Sequence, residues 1–351
     1  MTGSVLYIGP EAEQFPEVIL MSRHLLSCAL LLTLFNINAF AAQTCDPDGE
    51  VQFVCGVTNP EDLYQIPETP WVVASGRISD VAGPIYAVDI RDQSSRIIFP
   101  DNALLPEHDT TIYQGCPGPN PSSFQPHGLT LREGNDGIHT LYVVGHGERE
   151  AIEVFDLDIR GDVPSLRWIG CVVAPEGTRR INSITALPEG ALAATNFDTA
   201  GGELWEWHPA TGWVEVPGSQ MAGPNGLVSS PDGQWFYVGG WSDQALVRVS
   251  RRKTPVQIDA APVGFNVDNV RWGTDGHIVV AGHVTSCDDS SPCELSVARV
   301  AKVEPTTLDV QQLVDYEGND FFKLGTVAIE VGNEIWVGGI RGSFGIGRFP
   351  Q

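Results

Sequence analysis

Short apolar runs recur along the chain, each preceded by a tight turn and, seven positions before that turn, by a polar residue that opens another apolar stretch. The pattern is clearest at Asn182-Ser183-Ile184, Asn225-Gly226-Leu227 and Asp268-Asn269-Val270, whose first residues are evenly spaced at 43 positions. The turns are Glu189-Gly190, Asp232-Gly233 and Asp275-Gly276, and the runs that follow are Ala191 to Ala194, Trp235 to Val238 and His277 to Ala281. Four or five apolar residues on each side of a Gly turn predict an antiparallel hairpin. A hairpin unit repeating at this interval predicts a propeller blade. The same order appears at His127-Gly128-Leu129 before Leu141 to Val144, at Thr326-Val327-Ala328 before Ile335 to Val337, and at Glu61-Asp62-Leu63 before Trp71 to Ala74. The expectation is therefore an all-β, six-bladed β-propeller filling residues 42–351 as one domain, with a metal site in its central channel.

The metal expectation follows from the phase of the polar residue. The innermost strand of a propeller blade runs along the channel, so a residue at its start faces the axis. A single Asn or Asp before Gly is ordinarily a turn residue or cap. Glu61, His127, Asn182, Asn225, Asp268 and Thr326 share one phase of the repeat, however, and turn chemistry gives no reason for that. Two carboxylates and two amide oxygens, from Glu61, Asp268, Asn182 and Asn225, form a hard donor set that suits calcium better than zinc or copper. Calcium takes six to eight oxygens, leaving room for Asn269, water and a substrate oxygen.

Histidines supply the next element. His127 stands at the axial phase, His146 closes the following strand of the same hairpin, and His283 holds the equivalent strand end after Asp268. Calcium acidifies water weakly, so hydrolysis there needs a general base, and histidine titrates in the useful range. Neither a GxSxG elbow nor a phosphate-binding glycine loop occurs. No CxxC pair or Cys/His cluster points to zinc.

A formal charge of −24 argues against a nucleic-acid partner. Met21-Ser22-Arg23-His24 leads into the apolar stretch Leu25 to Phe40, which ends Ala39-Phe40-Ala41. This reads as a signal peptide with Met21 as the true start and cleavage after Ala41, preceded by an upstream extension, so residues 1–41 stand apart from the domain. A secreted or periplasmic location is expected, with no stable membrane span. Loss of Cys28 with the signal leaves six cysteines, which suits an oxidising compartment. Sequence leaves their pairing open; Cys45 with Cys55 and Cys287 with Cys293 are the short-loop choices, leaving Cys116 with Cys171.

Seven stretches in order resemble the calcium-dependent six-bladed propellers that include paraoxonases, gluconolactonases with regucalcin, and diisopropyl-fluorophosphatase. They are Glu61-Asp62-Leu63, Pro126 to Leu129, Val143 to His146, Glu153-Val154-Phe155, Ala194-Thr195-Asn196, Asn225-Gly226 with Ser230 to Gly233, and Val267-Asp268-Asn269. The paraoxonase and arylesterase branch is the most similar. The resemblance spans roughly residues 55–350 and implies a catalytic calcium held by Glu61, Asn182, Asn225, Asp268 and Asn269. It further implies a water-activating dyad of His127 and His146, with His283 in the pocket. The activity implied is hydrolysis of small lactones or aryl esters, with phosphotriester hydrolysis on the same site or a non-enzymatic, calcium-stabilised binding propeller as alternatives. A second, structural calcium is implied at Asp62 and the Leu129 carbonyl, but its remaining ligand position is Ser183 here, a departure that weakens it. Cys45 and Cys55 are expected to pair locally, because the chain ends Phe349-Pro350-Gln351 without a partner cysteine.

Overall fold

The computed structural model describes residues 44–78, 80–285 and 296–351. The expected signal segment and the Cys287–Cys293 pair lie outside the described residues. Among those residues the chain forms six four-stranded antiparallel sheets. Their innermost strands are Pro60–Gln65, Gln125–Arg132, Ile181–Ala186, Pro224–Ser229, Asn266–Trp272 and Gly325–Val331. Successive innermost strands touch one another, and the sixth touches the first, so they enclose an axis. No described helix is long and apolar enough to cross a membrane.

Ring closure uses backbone pairing. Gln52–Cys55, ahead of the first blade, forms the outermost strand of the last one, with Gln52 opposite Arg348 and Cys55 opposite Gly345. This pairing ties the start of the propeller to its last blade. Cys45 and Cys55 are disulfide-bonded beside that strand, and Cys116 is bonded to Cys171; both pairs fit an oxidising compartment.

Each blade is buried on both faces, which explains why the strands read as near-continuous apolar runs rather than alternating ones. The core accordingly lies between blades. Trp71, Ile85 and Phe99 of the first blade interlock with Phe124, Leu141, Phe155 and Trp168 of the second. Phe99 lies 5.2 Å from Phe155 and 5.4 Å from Phe124, centroid to centroid. Truncating fully buried Phe155 to Ala would cost about 3–5 kcal/mol by leaving a cavity between the sheets.

Candidate active site in the central channel

The polar phase found in the sequence corresponds to a structural irregularity repeated in every blade. The register between the innermost strand and its neighbour shifts between Pro60 and Asp62, Pro126 and Leu129, Ile181 and Ile184, Pro224 and Leu227, Val267 and Val270, and Gly325 and Val327. Glu61, His127, Asn182, Asn225, Asp268 with Asn269, and Thr326 are the residues inside those six bulges. A bulge releases a residue from the ladder and re-aims its side chain. Glycine follows where the next blade presses close: a Cβ on Gly128 would stand 2.5 Å from the Asn182 carbonyl oxygen, and one on Gly226 2.5 Å from that of Asp268.

The bulge side chains are buried, and several of them meet at Glu61. Asn269 Nδ2 donates to Glu61 Oε1 at 2.9 Å, and Thr326 Oγ1 donates to the Glu61 carbonyl at 2.7 Å. Four buried oxygens from this group have no hydrogen-bond partner: Glu61 Oε2, Asn182 Oδ1, Asn225 Oδ1 and Asn269 Oδ1. A buried acceptor left unmade costs about 1–3 kcal/mol. Four such acceptors, all oxygens, carried on the same ring of bulges as the Asp268 carboxylate, fit a hard cation. Burial raises the Glu61 carboxyl above its ordinary range, and burial followed by the charge of Glu61 raises Asp268 well above it. A divalent ion would relieve that repulsion.

His127 and His146 meet at the same end. His127 Nε2 lies 3.3 Å from Glu61 Oε1, and His127 Nδ1 lies 2.8 Å from His146 Nε2. His146 Nδ1 is in turn 2.8 Å from Glu150 Oε2, whose other oxygen accepts from the Ile181 amide at 2.7 Å. An ionised carboxylate only accepts, so the tautomers follow from Glu150. His146 donates from Nδ1 and accepts at Nε2, His127 donates from Nδ1, and His127 Nε2 holds a free lone pair beside Glu61. Burial is the main cause that depresses both histidines, His127 well below its ordinary range, so the pair is neutral near pH 7.

Three expected residues sit differently. His283 Nδ1 donates to the Gly325 carbonyl at 3.1 Å and stands 3.8 Å from Asp268, with no hydrogen bond to the His127–His146 pair. Asp62 and the Leu129 carbonyl, expected at a second calcium, receive the buried Arg271 guanidinium. Its Nη2 bonds Asp62 Oδ1 and, at 3.1 Å, the Leu129 carbonyl, while Nε reaches Leu63 O at 3.1 Å and Nη1 reaches Val270 O at 2.8 Å. Asp62 also accepts from the Leu63 and Leu129 amides. With their lone pairs taken by a resident guanidinium, these oxygens do not fit a second cation.

Glu150 and Arg271 were not legible as site residues. Glu150 lies in a turn beyond the strand, where only three-dimensional folding returns it to His146. Arg271 offered a signal, since it shares the inward phase with Asn269 two positions earlier. It also lines a cavity of about 720 Å³ at the far ends of the innermost strands, with Thr130, Arg132, Thr185 and Trp272. Arg271 and Asp62 therefore lie between that cavity and the bulge-lined site.

No protein-family model matches the chain, and no curated protein matches it by sequence. Solved structures do. The fold is similar to that of a luciferin-regenerating enzyme (TM-score 0.52, 14% identity, 85% of this chain and 94% of that one). It is also similar to a protein provisionally assigned as a gluconolactonase (0.53, 14%, 87% and 93%). A third is a calcium-binding regucalcin from Agrobacterium tumefaciens (0.51, 12%, 84% and 91%). At these identities the shared property is the six-bladed propeller itself.

Proposed function

We propose that this protein is a secreted or periplasmic calcium-dependent hydrolase of small lactones or aryl esters. What supports the reading is the set of four unpartnered buried oxygens on bulges of one ring, together with a histidine pair that reaches the Glu61 carboxylate. Glu61, Asn182, Asn225, Asp268 and Asn269 would hold the ion. Calcium bound there supplies positive charge that polarises the substrate carbonyl.

The chain's own groups carry the proton. His127 Nε2 takes a proton from water as the water oxygen attacks the carbonyl carbon. The positive charge that develops on His127 is shared through Nδ1 with His146 and met by the Glu150 carboxylate. The same histidine then returns the proton to the departing alkoxide or phenoxide as the ester C–O bond breaks, giving a carboxylic acid and an alcohol. A positioned base contributes about 10²–10⁴ in rate. Burial places the histidines in a low local dielectric, which strengthens each hydrogen bond in the relay.

The test is hydrolysis of γ- and δ-lactones and phenyl acetate by the purified protein, before and after chelation, alongside Asp268→Ala. Turnover should vanish on chelation, return with calcium, and be absent in Asp268→Ala together with calcium binding. Turnover that survives both chelation and the substitution would refute the metal-dependent reading. A folded, calcium-loaded protein that hydrolyses nothing would favour a binding propeller.

A further inference from the structure

Two arginines approach the bulge-lined end of the channel. Arg77 follows the strand Trp71–Gly76 and donates its amide to the Asn59 carbonyl at 3.0 Å, which brings it to the end where Pro60 and Glu61 begin their strand. Arg180 directly precedes the strand Ile181–Ala186 that carries Asn182. Its backbone is pinned on both sides: the amide donates to Asn196 Oδ1 at 3.0 Å, and the carbonyl accepts from the Phe197 amide at 2.7 Å. Neither guanidinium makes an ion pair or a side-chain hydrogen bond among the described residues, although both are half-buried. Every other buried or half-buried arginine in those residues donates to a carboxylate, a carbonyl or a tyrosine hydroxyl.

Both side chains belong to the site electrostatically. The Arg77 charge acts on Glu61, Asp268, His127 and His146, and Arg77 and Arg180 act on each other. Burial and the Arg77 charge oppose the Arg180 guanidinium, while Glu150, Glu61 and Asp268 offset part of that cost. Charge accounting gives the pair a purpose. Once a divalent ion balances Glu61 and Asp268, and Glu150 balances one guanidinium, one positive charge at the mouth has no counter-ion. An aromatic wall stands beside it: Phe197 lies 6.2 Å from Trp241, whose ring lies 6.2 Å from His283.

We infer that Arg77 and Arg180 form an anion clamp, and that the natural substrate is a lactone or ester with an apolar body and one carboxylate away from the scissile bond. The inference rests on the hydrolase reading above for the word substrate, while the clamp itself is testable as a binding site. Forked guanidiniums suit a carboxylate because each can present two parallel N–H donors.

The experiment compares phenyl hydrogen succinate with phenyl butyrate, which share a leaving group and a chain length but differ in charge. Wild-type kcat/KM should favour the charged ester by about tenfold to a hundredfold, the range for charge-assisted hydrogen bonds. Arg77→Met and Arg180→Met should each lower that preference about tenfold, chiefly through KM for the charged ester, and Arg180→Lys should restore part of it. Calorimetric titration of succinate into the calcium-loaded protein should show binding that both Met variants lose. Equal kcat/KM for the two esters in an active wild type would overturn the clamp and leave the hydrolase reading standing. Absence of turnover with succinate binding retained would overturn the hydrolase reading and leave the clamp standing. Absence of succinate binding, or binding that both Met variants retain, would overturn the clamp.

Discussion

Removing the Arg271 guanidinium should destabilise the propeller more than removing any surface charge. Arg271 and Asp62 are both buried, with side chains 7% and 0% exposed, and their pair joins the fifth blade to the first. Arg271→Met keeps the stem and deletes the charge, leaving Asp62 buried beside Glu61. Asp62 can then stay ionised without its partner, a loss of about 3–5 kcal/mol for a broken buried pair. Alternatively it can take a proton, which at pH 7 costs about 1.36 kcal/mol for each unit above an unfolded value of about 3.9, or roughly 4 kcal/mol. Both routes give the same size of effect. At about 2 °C per kcal/mol for a chain this long, the melting temperature should fall by about 6–10 °C. The assay is thermal and urea unfolding of wild type, Arg271→Met, Asp62→Asn and the double variant. Because a neutral isosteric pair is often no worse than a buried ion pair, the double variant should recover at least half of the loss. An Arg271→Met melting temperature within 2 °C or so of wild type would refute the reasoning, since Asp62 would then have an unrecognised means of compensation. The same experiment bears on metal content: with the guanidinium in place, purified protein should bind one calcium per chain by elemental analysis, and two would contradict the reading of Arg271 as the resident cation.

Further outcomes follow from the relay and the bulges. His127→Gln should lower kcat by about 10²–10⁴ while calcium affinity, measured by titration, stays unchanged; an unaltered kcat would remove the histidine pair from the chemistry. Glu150→Gln weakens the acceptor that sets the tautomers, so kcat should fall by about tenfold to a hundredfold with little change in KM, and histidine nitrogen NMR should show a mixed His146 tautomer. Gly226→Ala must push back the Asp268 carbonyl and the Asn269 Cα, which a new Cβ would approach to 2.5 and 2.6 Å. It should therefore weaken calcium binding and cost about 1–3 kcal/mol, and wild-type affinity would show that the bulge spacing is not what positions Asp268. Opening Cys116–Cys171 with a double serine variant should cost about 4 kcal/mol on a chain-entropy estimate for its 55-residue separation, against about 3 for the 10-residue Cys45–Cys55 loop, measured by urea unfolding.

The repeat was legible because a propeller writes its symmetry into the chain. Asn182, Asn225 and Asp268 fall at one interval because each must leave the strand ladder at the same height, and the bulges that release them recur in all six blades. Gly128 and Gly226 were readable as turn signals but serve close packing of neighbouring blades, a distinction that sequence periodicity does not carry. Closure of the ring was invisible for a similar reason. Nothing in Gln52–Cys55 announces that it pairs with Gly345–Pro350 rather than with the adjacent first blade.

Groups outside the repeat were the ones that escaped. Glu150, Arg77 and Arg180 lie in connections that differ from blade to blade, so no phase marks them, yet they set the tautomers and the charge at the channel mouth. The division has a physical basis. The common inner strands supply a fixed ring of donors whose spacing comes from blade geometry, whereas the connections are free to vary because they carry little of the core. A sequence with this repeat therefore predicts the donor ring, and the choice of substrate falls to the residues that break the repeat. In this chain those residues include Glu150, which returns from a connection to orient the His146 ring.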